Sequence, residues 1–474
     1  MDIKFRRIID WFDSRFGMTE TILRPGPDYS INLFYWLGAL MVVAFIVQGV
    51  TGLLMLLYYV PTVEQAYSST LFIIKYVPLG RLIETIHLYS AYAMVLLAFA
   101  HLMRGYFASV QKKPRELMWI VGMLMGFVVL GFGLTGYLLP WTVISKSATD
   151  VTIGMLGFLP SELANVLRFL IAGPGSDAAE LSRFFDLHVV VLPAIFTILL
   201  AAKMYMFEIH GASEPSTGVK KKVRNIPWFP NIFLYFTMLS CVFLFILLVG
   251  SVLFPLALPA QFTPSAASAF VPQPEWYFLW IYQILKFSAF EGAWAVLPLV
   301  GITAFFLVLL LLPFIDKSKK RNPAHRPVYV TLGLVFVFEV IVLGVWGYFT
   351  PGQVIPNTQA LVIMVGIPLV ISILSWITYR TRRTFQPAGS RSGSIFRFVS
   401  TPFKAPLLTG LFVLLLTSCS IPLAFAVNLM ASPWSNIPLL VSSVLITALL
   451  LYLMSRIVKK LAAEHPVMGA RHEA

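Results

Sequence analysis

Residues 80–107, GRLIETIHLYSAYAMVLLAFAHLMRGYF, form an apolar run that carries two histidines, His87 and His101. The run is long enough to cross a bilayer, and a helix pairs its own backbone polar groups there, so this stretch must be a spanning helix. The histidines stand 14 residues apart, which is roughly 21 Å and just under four turns. Both imidazoles therefore lie on one face, one near each side of the membrane. A single histidine between packed helices needs no function. Two on one face, with a third on another helix, favour a functional reading, and imidazole is a common axial ligand of haem iron.

The same apolar pattern recurs along the chain. Of 474 residues, 58% are hydrophobic and 12% charged, which fits a polytopic membrane protein and excludes a soluble globule. Length and hydropathy predict ten spans, at 31–59, 80–107, 116–139, 186–208, 230–254, 293–315, 327–349, 359–379, 405–430 and 437–457. The expected fold class is all-α, a transmembrane helical bundle. A net charge of +14 raises nucleic acid as a partner, but the charge sits in loops. With a cytoplasmic N-terminus, the loops on that side hold 28 Lys and Arg against 6 outside. That split places both termini inside and argues against nucleic acid. No cleavable signal peptide is visible; IIDWFDSRF, near the N-terminus, is expected to lie on the lipid surface. Cys241 and Cys419 fall in apolar segments and offer neither a disulfide framework nor a metal cluster.

Two glycine pairs repeat the histidine interval: Gly38 and Gly52 in the first span, Gly122 and Gly136 in the third. Glycine serves close helix packing in membranes, but the repeat favours room for the edge of a flat macrocycle in each layer. The loop at 140–185 is long enough to carry short helices or function. Behind it the fourth span opens with Asp186 and His188, near the level of His87, so these two histidines can coordinate one iron. Lys203 lies level with His101. Residues 211–229 are a basic connector and 380–404 a basic linker before the last two spans. In QPEWYFLWIYQILK, Glu275 sits among aromatic residues with Tyr277 nearby. As a solvated loop acid it needs no role; in an apolar pocket it can accept and relay a proton.

With His87, His101, His188, the four glycines, KKPREL at 112–117, TGYLLPW at 135–141 and PEWYF at 274–278, the chain resembles cytochrome b of the Rieske–cytochrome b (bc1 and b6f type) complexes. The resemblance covers roughly residues 5–350 and is closest to the photosynthetic type, with its haem subunit and three-helix subunit fused. It implies a dihaem four-helix core at 1–210, the connector at 211–229, a three-helix quinol-site module at 230–350 and three further helices within 351–474. It implies two haem b groups, with His87 and His188 ligating the outer, low-potential haem and His101 one side of the inner haem. Arg104, Lys113 and Arg115 match inner basic positions that pair with propionates, and Glu275 matches the glutamate of the outer quinol site.

Four departures stand out. Trp36 occupies the place of the cysteine that tethers an extra c-type haem, so no covalently held haem is expected. Glu84 stands where the family has an arginine, with Arg81 one turn away. Thr142-Val143-Ile144 follows PW, where the family continues with an acid or glycine and then glutamine. The family places a second inner histidine about 14 or 15 residues after His188; this chain has Ala202 and Lys203 there. His210, 22 residues on, is roughly 33 Å along a helix and too far, and Met204 and Met206 turn to other faces. Lys203 either snorkels to the cytoplasmic interface or binds iron as its neutral amine, which the metal holds in free-base form. The apolar helix face favours ligation.

The resemblance implies a quinol-oxidising subunit in the cell membrane. It would divide electrons between a Rieske iron–sulfur protein, serving a c-type cytochrome or other high-potential acceptor, and the two haems, coupled to proton translocation. A homodimer is expected. A dihaem membrane anchor of a dehydrogenase and a secondary transporter are the alternatives; PEWYF and the long outer loops argue against the first, and the second requires no haem, so a colourless purified protein would favour it.

Overall fold

The computed structural model describes residues 11, 13–15, 25–215 and 225–384. The expected spans at 405–430 and 437–457, the middle of the 211–229 connector, most of the 380–404 linker and most of the N-terminal amphipathic piece lie outside the described residues. In order, α1 is Leu33–Leu56, α2 Ala66–Tyr76, α3 Gly80–Phe107, α4 Glu116–Leu138, α5 Val143–Met155, α6 Ser161–Ala172 and α7 Asp177–Asp186. There follow α8 Leu192–His210, α9 Phe233–Leu253, α10 Leu279–Leu285, α11 Val296–Leu310, α12 Pro327–Phe349 and α13 Ile367–Thr384. Seven described helices are long and apolar enough to cross a membrane. The end bearing α2, α5 and α6 is called the outer end below.

Local sequence explains the boundaries. The Asn32 side chain accepts from the Phe34 backbone N–H and starts α1. Thr142 and Ser145 form a capping box that starts α5. Ser176 caps α7, whose first turn carries Asp177 and Glu180, the charge sign that a helix N-terminus favours.

Two expected boundaries are corrected. The fourth span does not open at Asp186: the helix begins at Asp177 and runs to His210 through a π turn at Leu187–Val191. Pro193, which cannot donate to the helical ladder, follows this turn and accounts for the local widening at His188. The sixth, expected at 293–315, is a helix over Val296–Leu310 and then a single turn, Leu312–Ile315. Pro313 weakens the ladder there because it has no N–H to donate, and the chain breaks at Leu311.

Helices α1, α3, α4 and α8 form a four-helix bundle, with α9 against α3 and α12 against α10, α13 and α3. Its buried centre is Met41, Ala44, Met94, Val95, Val121, Met125, Val129 and Phe196. Met94 lies midway between His87 and His101, so this plug fills the interval between the two layers. A short antiparallel ribbon, Pro25–Pro27 with Asn225–Pro227, ties the start of α1 to the start of α9. At the inner end, Asp316 accepts from Gln111 at 3.0 Å and pairs with Lys112 at 2.9 Å and Arg326 at 2.6 Å. Burial opposes ionisation of Asp316, but these partners outweigh it and hold its carboxyl below the usual range.

Candidate functional site

At the outer layer α3 presents His87 and the π turn before α8 presents His188. Their ring centres are 6.3 Å apart. Two imidazoles bound through facing nitrogens to one metal, at about 2.0 Å each, stand roughly 6 Å apart between ring centres, so this spacing suits one shared iron. Each ring is held from behind. Thr51 Oγ1 donates to the Val47 carbonyl at 2.6 Å, which leaves its lone pairs to accept from His87 Nδ1 at 2.8 Å. Thr135 Oγ1 donates to the Gly131 carbonyl at 2.7 Å and contacts His188 Nδ1 at 3.1 Å. Both arrangements place the proton on Nδ1 and free Nε2 for a metal.

The four glycines sort onto His87, His188, His101 and Lys203. A Cβ on Gly52 would sit 3.4 Å from His87 Cε1, and one on Gly136 would sit 2.5 Å from His188 Cε1. At the inner layer the corresponding distances are 3.2 Å from Gly38 to His101 Cε1 and 2.8 Å from Gly122 to Lys203 Nζ. Lys203 thus reaches α4 where its glycine repeats, as His188 does one layer out. Each glycine gives the tip of its partner room against the backbone of α1 or α4, and with the 6.3 Å between the outer imidazoles this fits a metal-centred cofactor between α1/α3 and α4/α8. Lys203 and Arg104 are also the charges that act on the His101 ring. His101 Nδ1 is buried without a hydrogen-bond partner among the described residues. Met204 is exposed and Met206 packs on the bundle core, so neither competes for the position.

The inner basic residues diverge. The Arg104 guanidinium lies 4.2 Å over the Tyr35 ring. Arg115 donates to the His210 carbonyl at 2.8 Å, closing the end of α8, and Lys113 is exposed. Between the layers Phe45 and Phe196 pack at 4.4 Å, and Phe132 meets His188 edge-on at 5.7 Å.

The outer pocket is lined by Gly133 and Tyr137 of α4, Thr149 and Thr152 of α5, and Glu275 and Tyr277. Burial pushes the Glu275 carboxyl above its ordinary range, against the Tyr92 hydroxyl and the Trp276 backbone N–H, which favour the anion. Burial likewise pushes the Tyr277 phenol up. The Tyr277 hydroxyl rests against the backbone of Gly133, which has no side chain to exclude it. Sequence reading missed Tyr92, Tyr137, Thr51 and Thr135. The threonines had a signal: each immediately precedes one of the repeated glycines, as Thr51-Gly52 and Thr135-Gly136.

Comparison with known proteins bears on these layers. The family model described as cytochrome b (N-terminal)/b6/petB matches residues 92–267, and the one described as cytochrome b (C-terminal)/b6/petD matches 263–367. A cytochrome bc complex cytochrome b subunit of Chlorobaculum thiosulfatiphilum is 34% identical over 349 residues, 72% of this chain and 81% of that one. Cytochrome b of Sulfolobus acidocaldarius is 31% identical, over 84% of this chain and 76% of that one. A solved chain of a hyperthermophilic respiratory Complex III superposes with a TM-score of 0.63 at 26% identity, covering 78% of this chain and all of that one. Two consecutive family models on one polypeptide, and relatives matched over most of their length, agree with a bundle whose glycines and histidines repeat in two layers: the chain belongs to the cytochrome b family, a multi-pass membrane protein of electron transport that binds haem b.

Proposed function

We propose that this chain is the quinol-oxidising cytochrome b subunit of a bc-type complex, with its two electrons divided between a Rieske iron–sulfur partner and two b haems. His87 and His188 hold the outer haem; His101 and Lys203 hold the inner one. Residues 1–210 form the haem-bearing core and 230–350 the module that completes the quinol pocket. The complex sits in the cell membrane as a homodimer, with both termini cytoplasmic. When bound, the haems supply one-electron carriers across the membrane.

The chain's own residues do the rest. Thr51 and Thr135 orient the outer imidazoles, and the phenylalanines between the layers exclude water from the interval. Arg104 stands at the inner layer as a counter-charge for propionates; Arg115 and Lys113 lie beyond it. Glu275, as the carboxylate, accepts a proton from quinol bound in the outer pocket, and Tyr92 stabilises that anion. A Rieske protein delivers its electron to a high-potential acceptor of the c-type cytochrome class.

The observation that carries this reading is the pocket acid Glu275 facing Tyr92, on the same helix as His87 and five residues inward. Its raised pKa sets the sign of the pH response. Below that pKa Glu275 is already protonated and cannot accept, so quinol oxidation rises with pH through a value above 4.5, the ordinary carboxyl value. Glu275→Gln should keep both haem spectra, slow quinol oxidation by about 100-fold and remove that rise. Wild-type turnover and an unchanged pH profile in the variant would refute the role.

A further inference from the structure

Lys146, in the outer helix α5, is a charged side chain only 4% exposed. Three carboxylates meet its ammonium: Asp150 one turn along α5, Asp177 at 3.2 Å and Glu180 at 3.4 Å. The last two belong to α7, which leads into His188. The Trp141 ring lies 5.7 Å away, so another side of the ammonium is apolar. The carboxylates are not equivalent. Asp150 and Asp177 are about half exposed, at 49% and 52% of their side chains. Glu180 is 8% exposed, and its Oε1 is buried with no hydrogen-bond partner among the described residues.

One ammonium does not neutralise three carboxylates. At full ionisation the cluster carries excess negative charge, and like charges at this range disfavour one another's ionisation. It therefore has room for one proton, and the unsatisfied oxygen of Glu180 is the buried atom that can take it. The location matters. Thr149 and Thr152, which line the Glu275 pocket, are on the same helix as Lys146 and Asp150 and within two turns of both. The cluster thus shares a helix with the pocket wall, and two of its carboxylates, Asp150 and Asp177, reach water.

We propose that Glu180, positioned by Lys146, is the acceptor through which protons released at the Glu275 pocket pass to Asp150 and Asp177 and then to the outer water. This rests on the assignment of that pocket to quinol. The Glu180 carboxylate takes up a proton and becomes a neutral acid. The proton then moves to the carboxylate of Asp177 or Asp150 and on to water, and Glu180 returns to its anion. Lys146 keeps its protons throughout and no electron moves. The charged groups facing Glu180 are Lys146, Asp150 and Asp177.

The test uses the full chain in its membrane complex and follows the initial rate of outer-haem reduction by added quinol from acid to alkaline pH. If Glu180 must be an anion to accept, the wild-type rate carries a limb that falls as pH falls. Glu180→Gln, close in shape, should leave both haem spectra intact, slow this rate about tenfold and change the limb to the one that Glu275 alone sets. Lys146→Arg, which keeps the cation, should retain rate and profile. A wild-type rate and profile in Glu180→Gln overturns the proposal. If Glu180→Gln fails to assemble haem, Asp150→Asn combined with Asp177→Asn, at half-exposed positions, gives the same readout, and a wild-type profile there overturns it equally. Glu275→Gln in parallel separates the two readings. If it slows the reaction and the cluster variants do not, only the outlet fails; if it also behaves as wild type, the quinol pocket itself is wrong.

Discussion

At the outer layer both imidazoles are backed by a threonine hydroxyl, at 2.8 and 3.1 Å, whereas the inner His101 has no partner for its Nδ1 among the described residues and faces a primary amine. The two layers share one scaffold: a 14-residue interval on α1, α3 and α4, one of 15 residues from His188 to Lys203, and a glycine against each of the four side chains. What differs is how far each ligand is held in advance. An imidazole fixed by a hydrogen bond behind it has one orientation and more basic character. A lysine amine at the end of four methylenes has many orientations and becomes a ligand only as the free base. On the proposed ligation, one repeated backbone would hold two unlike coordination spheres.

The largest effect that tests this contrast is removal of an outer ligand. His87→Ala or His188→Ala should abolish the outer haem, since each supplies one of the two imidazoles that meet there among the described residues, while the inner signal persists in reduced-minus-oxidised spectra. Retention of the outer haem in both variants would break the assignment. Next comes Lys203→Ala, which should alter the spectrum and potential of the inner haem alone. Lys203→His should convert that layer to a bis-histidine spectrum. Two unchanged haem signals in Lys203→Ala would mean that Lys203 is no ligand.

A smaller effect separates the glycines. An alanine at Gly136 meets a rigid imidazole at 2.5 Å, and something must move; at Gly122 it meets the flexible tip of Lys203 at 2.8 Å. Gly136→Ala should lower outer haem content measurably, and Gly122→Ala should leave inner haem content close to wild type. Equal losses would argue that both ligands are equally constrained.

Much of this was legible in the sequence because its causes are periodic. Apolar length marked the spans, and the interval of 14 placed histidines and glycines on common faces before any contact was known. The π turn at His188 was not legible, because a proline two turns into an apolar run reads equally as a kink or a start. The capping box of α5 and the Lys146 cluster were also missed. The capping box joins Thr142 and Ser145, three residues apart, and so had a local signal; the Lys146 cluster had none, because Lys146 meets Asp177 and Glu180 from a segment more than 30 residues away. Tyr92 and Tyr137 joined Glu275 only through the packing of α3 and α4 against the outer loop.

The finest test concerns the threonines themselves. Valine matches threonine in shape but cannot accept from Nδ1, so Thr51→Val and Thr135→Val remove the hydrogen bond with little change in packing. An N–H donating to an acceptor makes the imidazole a stronger donor to iron, which favours the oxidised haem and lowers its potential. Losing that acceptor should raise the outer midpoint potential and weaken haem retention by about 10-fold to 100-fold, with the larger shift when both are replaced. The inner potential should not move, because His101 Nδ1 has no such partner among the described residues. Potentiometric titration of the two haems in one sample reads both at once. An outer potential that stays fixed in the double variant would show that the threonines only pack against the rings, and the distinction between the layers would then rest on Lys203 alone.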